Sequence, residues 1–157
     1  MADTLVNNNT LRWFIKNLSL PLPLPPVLNR SNAPYTTDIL SGYKVKVNGS
    51  IALGAMLQAA GAATVEGNEP VDALVYDLDG PQTAAELDQL HVFFSKNLGQ
   101  LKRNGRVLII QRLDAQTAEA AAAQRAADGI IRTIAKEQGR KGITANRIAY
   151  TGTWQDM

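Results

Sequence analysis

The chain has 157 residues, 45% hydrophobic and 19% charged, with a formal net charge of +2. That is enough chain for one domain with a real core, and too little positive charge to argue for a nucleic-acid partner. No cysteine and a single histidine, His91, are present, which excludes disulfides, zinc–thiolate sites, thiol nucleophiles and a multi-histidine metal site. No apolar run of membrane-spanning length and no basic start followed by an apolar block occurs. The expectation is a cytoplasmic protein with no membrane partner.

In chain order, Thr10–Leu18 predicts a short amphipathic helix, with Leu11, Phe14, Ile15 and Leu18 on one stripe and Asn9 or Thr10 as its cap. Ser19–Pro26 is an extended proline arm, because Pro21, Pro23, Pro25 and Pro26 remove amide donors. Asn29–Asp38 is loop-like. Residues 1–39 are thus expected to form a helix plus arm, and residues 40–157 an α/β domain.

Lys44–Asn48 alternates as a strand and ends at Gly49. Ile51–Ala60 is helical and is closed by Gly61. Ala62–Glu66 is a second strand. Val71–Tyr76 is a continuous buried-type strand that gives way to Asp77-Leu78-Asp79-Gly80. Thr83–Leu101 predicts a helix with Leu87, Leu90, His91, Phe94 and Leu98 on its apolar stripe. Arg106–Gln111 is a buried strand, Ala115–Gln138 a long alanine-rich helix, and Thr144–Tyr150 the last strand. The basic groups Lys102-Arg103 with Arg106, and Arg140-Lys141, follow predicted helices. Cations there complement exposed carbonyls; a phosphate-binding patch is the alternative.

Strands alternating with helices, and central strands made of Val/Ile/Leu runs, predict an α/β fold with a doubly wound, mostly parallel sheet. Gly129–Tyr150, reading GIIRTIAKEQGRKGITANRIAY, resembles the late helix and following strand of short-chain dehydrogenases/reductases. Val71–Val75 and Gly105–Ile110 resemble two further strands of that family, and the likeness covers roughly Leu40–Tyr150. It implies a Rossmann- or flavodoxin-like domain, incomplete at its C-terminus.

A closer likeness is to the flavodoxin-like, degenerate N-terminal domain of long two-domain 3-oxoacyl-[acyl-carrier-protein] reductases. Asn17–Pro21 with the proline arm resembles its start. Leu90–Phe94, Asn97-Leu98-Gly99 and Gly105-Arg106-Val107 resemble its middle. The resemblance implies a role tied to fatty acid metabolism, with the chemistry in a domain absent from these residues.

The family's reductase chemistry uses a tyrosine acid, a lysine that lowers its pKa and an orienting serine. The matching positions here hold Ala121, Arg125 and, near the serine, Arg112. The family's glycine-rich cofactor loop, Thr-Gly-x-x-x-Gly-x-Gly, aligns with Asn48–Ala55, where Gly49 fits and Gly54 is out of phase. The family's Asn-Asn-Ala-Gly segment becomes Tyr76-Asp77-Leu78-Asp79.

Gly49, Glu66 and Asp77 are therefore the candidate cofactor-binding residues. The plainer reading makes Gly49 a strand-ending turn, Glu66 a solvated strand-end charge, and Asp77 with Asp79 ordinary turn composition, with an oxygen-ligand metal site as the alternative for the two aspartates. His91 is expected to be a half-buried histidine on its helix stripe.

No catalytic residue and no cofactor is expected of this chain; NAD(P)H is the expectation if the degenerate site works. On the long helix, one face packs on the sheet, and Ala123, Ala127 and Ile131 are expected on the other, open to a partner. By resemblance that partner is a second copy, giving a homodimer, or a ketoreductase domain. Three functions follow: a non-catalytic assembly module, an NAD(P)H-dependent oxidoreductase, or a flavodoxin-like nucleotide or flavin binder that uses the Asp77–Gln82 loop.

Overall fold

A computed structural model describes residues 8–19, 24, 26–28, 32, 34–78, 83–113 and 117–152. Within them five strands form one parallel sheet in the order β2-β1-β3-β4-β5. The strands are β1 (Lys44–Asn48), β2 (Ala63–Thr64), β3 (Val71–Leu78), β4 (Leu101–Arg112) and β5 (Thr144–Tyr150). Four α-helices accompany them: α1 (Asn9–Asn17), α2 (Ile51–Ala59), α3 (Ala84–Asn97) and α4 (Ala118–Gln138).

Two separate cores show that the sheet is wound on both faces, as the sequence predicts. On one face Leu74, Tyr76 and Leu78 of β3 pack with Leu90, Phe93 and Phe94 of α3 and with Ala127, Ile131 and Ile134 of α4. On the other, Val45 of β1, Val75 of β3 and Ile110 of β4 pack with Leu53 of α2. β3 is covered on both sides, which is why its sequence is a continuous apolar run rather than an alternating one.

Helix ends follow local chemistry. Asn8, rather than Asn9 or Thr10, caps α1, its side chain accepting from Thr10 N and Leu11 N. Gly61 closes α2 at φ +92°, with its N–H donating to Gln58 O and that of Ala62 to Leu57 O. Thr83 and Glu86 form a reciprocal capping box on α3.

Several boundaries differ from the sequence reading. β2 keeps only Ala63 and Thr64 of the expected Ala62–Glu66. β3 runs on through Asp77 and Leu78. The helix expected to reach Leu101 stops at Asn97, whose side chain turns back to donate to Phe93 O at 2.7 Å. A 3-10 turn at Leu98–Gln100 leads directly into β4.

Lys102 and Arg103 consequently lie in a strand, not at a helix C-terminus. Lys102 Nζ pairs across the sheet with Asp72 at 2.8 Å. Arg140 and Lys141 do follow α4, in a 3-10 turn. Most of the proline arm lies outside the described residues, as do Asp79–Gln82, Ala115 and Gln116. No described helix is long and apolar enough to cross a membrane.

Candidate functional site: the crevice between β1 and β3

β1 leads through α2 to β2 on one side of the sheet, whereas β3 leads through α3 to β4 on the other. The C-terminal ends of β1 and β3 therefore diverge into a crevice, the place where open α/β sheets bind ligands. Asn48 and Tyr76 are opposite each other there. Gly49 and Ser50 connect β1 to α2, and Asp77 follows Tyr76 on β3.

The structure brings two of the three candidate cofactor residues, Gly49 and Asp77, together at the head of α2. Gly49 takes φ +148°, and a Cβ added to it would collide with Asp77 Cβ. Glycine is required here by the close approach of its own chain.

Ser50 caps α2, its side chain accepting from Leu53 N at 3.3 Å. Its backbone N–H donates to Asp77 Oδ2, also at 3.3 Å. The Asp77 carboxylate thus sits at the head of α2, where the helix dipole favours negative charge. Asp77 is only 9% exposed, and its Oδ1 is buried without a hydrogen-bond partner. A dinucleotide would bring its pyrophosphate to this position and meet a like charge.

Glu66, the third candidate, lies beyond the end of β2. It makes no hydrogen bond or ion pair with the other two. Tyr76 faces the opposite core, with its ring centroid 5.4 Å from Phe93 and 6.2 Å from Phe94. Burial, with the charges of Glu86 and Asp77, raises its phenol above the ordinary value. Tyr76 is therefore an aromatic packing residue of that core.

The three residues expected to stand in for the reductase's acid, lysine and serine lie on two elements. Ala121 and Arg125 are exposed on the first turns of α4, and Arg112 is the last residue of β4, opposite Tyr150. Among the described residues no group of three or more His, Cys, Asp or Glu side chains is placed to hold a metal ion. His91 is exposed rather than half-buried, with Nε2 3.4 Å from Ser95 Oγ. The apolar position beside it belongs to Phe93 and Phe94.

The expected interface is also corrected. Ala123, Ala127 and Ile131 lie on the sheet-facing side of α4 and are buried within the chain. Ile134, one turn on, continues that stripe and fixes the direction. The groove on this helix lies on a different face. Ala126, Gly129, Ile130 and Thr133 of α4 line a groove of about 390 Å³ together with His91 and Phe94 of α3.

One cluster escaped the sequence reading. Lys46 is buried in β1, its ammonium donating to Gly67 O, to Asn97 Oδ1 at 3.1 Å and to Gln100 Oε1 at 2.9 Å. The available signal was a lysine at a core-facing position of a strand in a sheet covered on both faces, which must find partners.

Fold and crevice together define a Rossmann-like, doubly wound α/β protein whose switch point carries a carboxylate, Asp77, at the head of α2. No protein-family model matches the chain, and no curated protein matches its sequence. Among solved structures, BdcA (YjgI) from E. coli is similar over 70% of this chain and 84% of its own, at 21% identity and a TM-score of 0.49.

Proposed function

We infer that this chain is a non-catalytic structural or assembly module related to 3-oxoacyl-[acyl-carrier-protein] reductases, cytoplasmic and tied to fatty acid metabolism. The observation that carries the reading is the Asp77 carboxylate at the head of α2, tight against Gly49. An enzyme of the resembling family would bring its cofactor's phosphates toward that carboxylate and would need an acid where Ala121 stands. Asp77 and Ala121 are what count against that chemistry in this chain.

The assembly role rests on the α3–α4 groove. Its walls are apolar at Phe94, Leu98, Ile130 and Ile134, while Ala126 and Gly129 present almost no side chain. Small residues let another helix approach closely. The partner is a second copy or a ketoreductase domain.

Fluorescence titration of the purified chain with NADH and NADPH tests the reading. The expected outcome is no saturable binding up to millimolar cofactor. Saturable binding of either would overturn it in favour of an NAD(P)H-dependent oxidoreductase.

A further inference from the structure

We propose that the Asp77 carboxylate is a built-in occupant of the anion position at the head of α2, and that removing its charge lets pyrophosphate bind there. The inference rests on the reading that the crevice does not take a dinucleotide, and it names the charge that keeps one out.

α2 carries the ingredients of an anion site. It has nine residues and no acidic residue in its first turn. Its backbone N–H groups at Ile51 and Ala52 have no intrahelical acceptor, as at any helix start. Ile51 is 92% exposed, so this helix end faces solvent. Free amides and the positive end of a helix dipole at an open surface attract phosphate without further help.

One element is reversed. The wall of the site is a carboxylate delivered from β3, with Oδ2 already taking the Ser50 N–H. The second oxygen is the independent sign that Asp77 does more than cap. Oδ1 is buried with no donor, an arrangement that costs free energy and that a purely structural side chain avoids. A carboxylate held this way repels any phosphate approaching the amides. Asparagine has the same shape and keeps an acceptor for Ser50 N–H, so the substitution removes the charge and little else.

The test is isothermal titration calorimetry of the full chain with inorganic pyrophosphate at constant ionic strength. The variants are Asp77→Asn and the double variant Asp77→Asn/Ile51→Pro. Proline is tolerated at the first helical position but removes one of the two free amides. The expected result is that Asp77→Asn binds pyrophosphate at least tenfold more tightly than the parent chain, and that the double variant loses most of the gain.

Equal binding by the parent chain and Asp77→Asn, with both melting cooperatively, overturns the proposal. A gain that survives Ile51→Pro also overturns it, because the anion then sits elsewhere. Should Asp77→Asn lose its cooperative melt, Asp77→Ser takes its place in both titrations: a gain that Ile51→Pro removes upholds the proposal, and any other result overturns it. Cofactor binding by the parent chain would sink the non-catalytic reading. A failure of Asp77→Asn to gain pyrophosphate sinks only the role given to Asp77.

Discussion

At the residue scale, two polar clusters tie the strands together, and each makes a measurable demand. Asp72 accepts from Lys102 Nζ at 2.8 and 2.9 Å and from the Lys44 backbone N–H at 2.9 Å. Burial pushes its carboxyl up, but the Lys102 hydrogen bond, the Lys44 backbone N–H and the charges of both lysines outweigh it. The net pKa lies below the ordinary 3.8. A carboxyl depressed by folding adds stability above its unfolded pKa, and that stability is lost as pH falls through the folded value.

The pair is partly exposed, which limits its worth to about 0.5–1 kcal/mol. Asp72→Asn should therefore lower the melting temperature at pH 7, and the gap to the parent chain should close below about pH 4. Melting curves across that range check it; a gap that persists in acid would assign the effect to packing.

Lys46 poses the opposite problem. A buried ammonium is surrounded only by neutral oxygens, so its desolvation is offset by hydrogen bonds rather than by a counter-charge. Lys46→Met keeps the stem and removes the three donors. It should destabilise the fold by about 1–3 kcal/mol in urea denaturation, because the acceptors at Gly67 and Gln100 lose a charged partner. Unchanged stability would mean that desolvation cancels the bonds.

At the element scale, α4 separates two kinds of small residue. Ala127 is 0% exposed against the sheet, so Ala127→Leu should cost about 1–3 kcal/mol through overpacking. Gly129, two residues on, has no atom within 4 Å of where a Cβ would stand. Gly129→Leu should leave the fold as stable or slightly more so, since helical glycine costs about 1 kcal/mol, while filling the groove. If the groove seats a second copy, light scattering will show the parent chain self-associating and Gly129→Leu monomeric. Self-association unaffected by Gly129→Leu would remove the groove from the interface.

This helix also separates what the sequence reveals from what it hides. Its existence and its lower end at Gln138 were legible from composition. Its orientation was not, because alanine gives little contrast between faces and the decision rests on Ile131 and Ile134 alone. Likewise β3 and β4 were legible as Val/Ile/Leu runs, whereas β5, with a single Ile148, was legible through the family resemblance of Gly129–Tyr150. The stop of α3 was not, since Leu98 and Leu101 continue a helical spacing and only the Asn97 side chain, turning back on Phe93 O, ends it. In the crevice, Gly49 and Asp77 were visible as candidates. Their mutual contact was not, because it depends on the register that sets Asn48 beside Tyr76.

At the scale of the whole molecule, the sheet and its flanking helices carry the stability and α1 stands apart. None of the nine residues of α1 is buried, and Trp13, Phe14 and Leu18 are each more than half exposed. A variant beginning at residue 20 should therefore melt within about 2 °C of the full chain, no more than the shift of about a 1 kcal/mol change in a domain of this size. A larger loss would show that α1 docks on the domain. By contrast the two cores share β3 and β4, so damage to either should melt both in one transition.

The two borders of the sheet are unequal. β2 ends one side with two residues, while β5 ends the other with seven, and no described strand lies beyond either. A strand's outward N–H and C=O groups are a template for another strand, and the template's length sets how firmly an incoming chain is held. The β2 side offers almost none and the β5 side a full strand. Among the described residues, the β5 side therefore holds the longer template for an added strand, and the two borders of the sheet differ in what they could recruit.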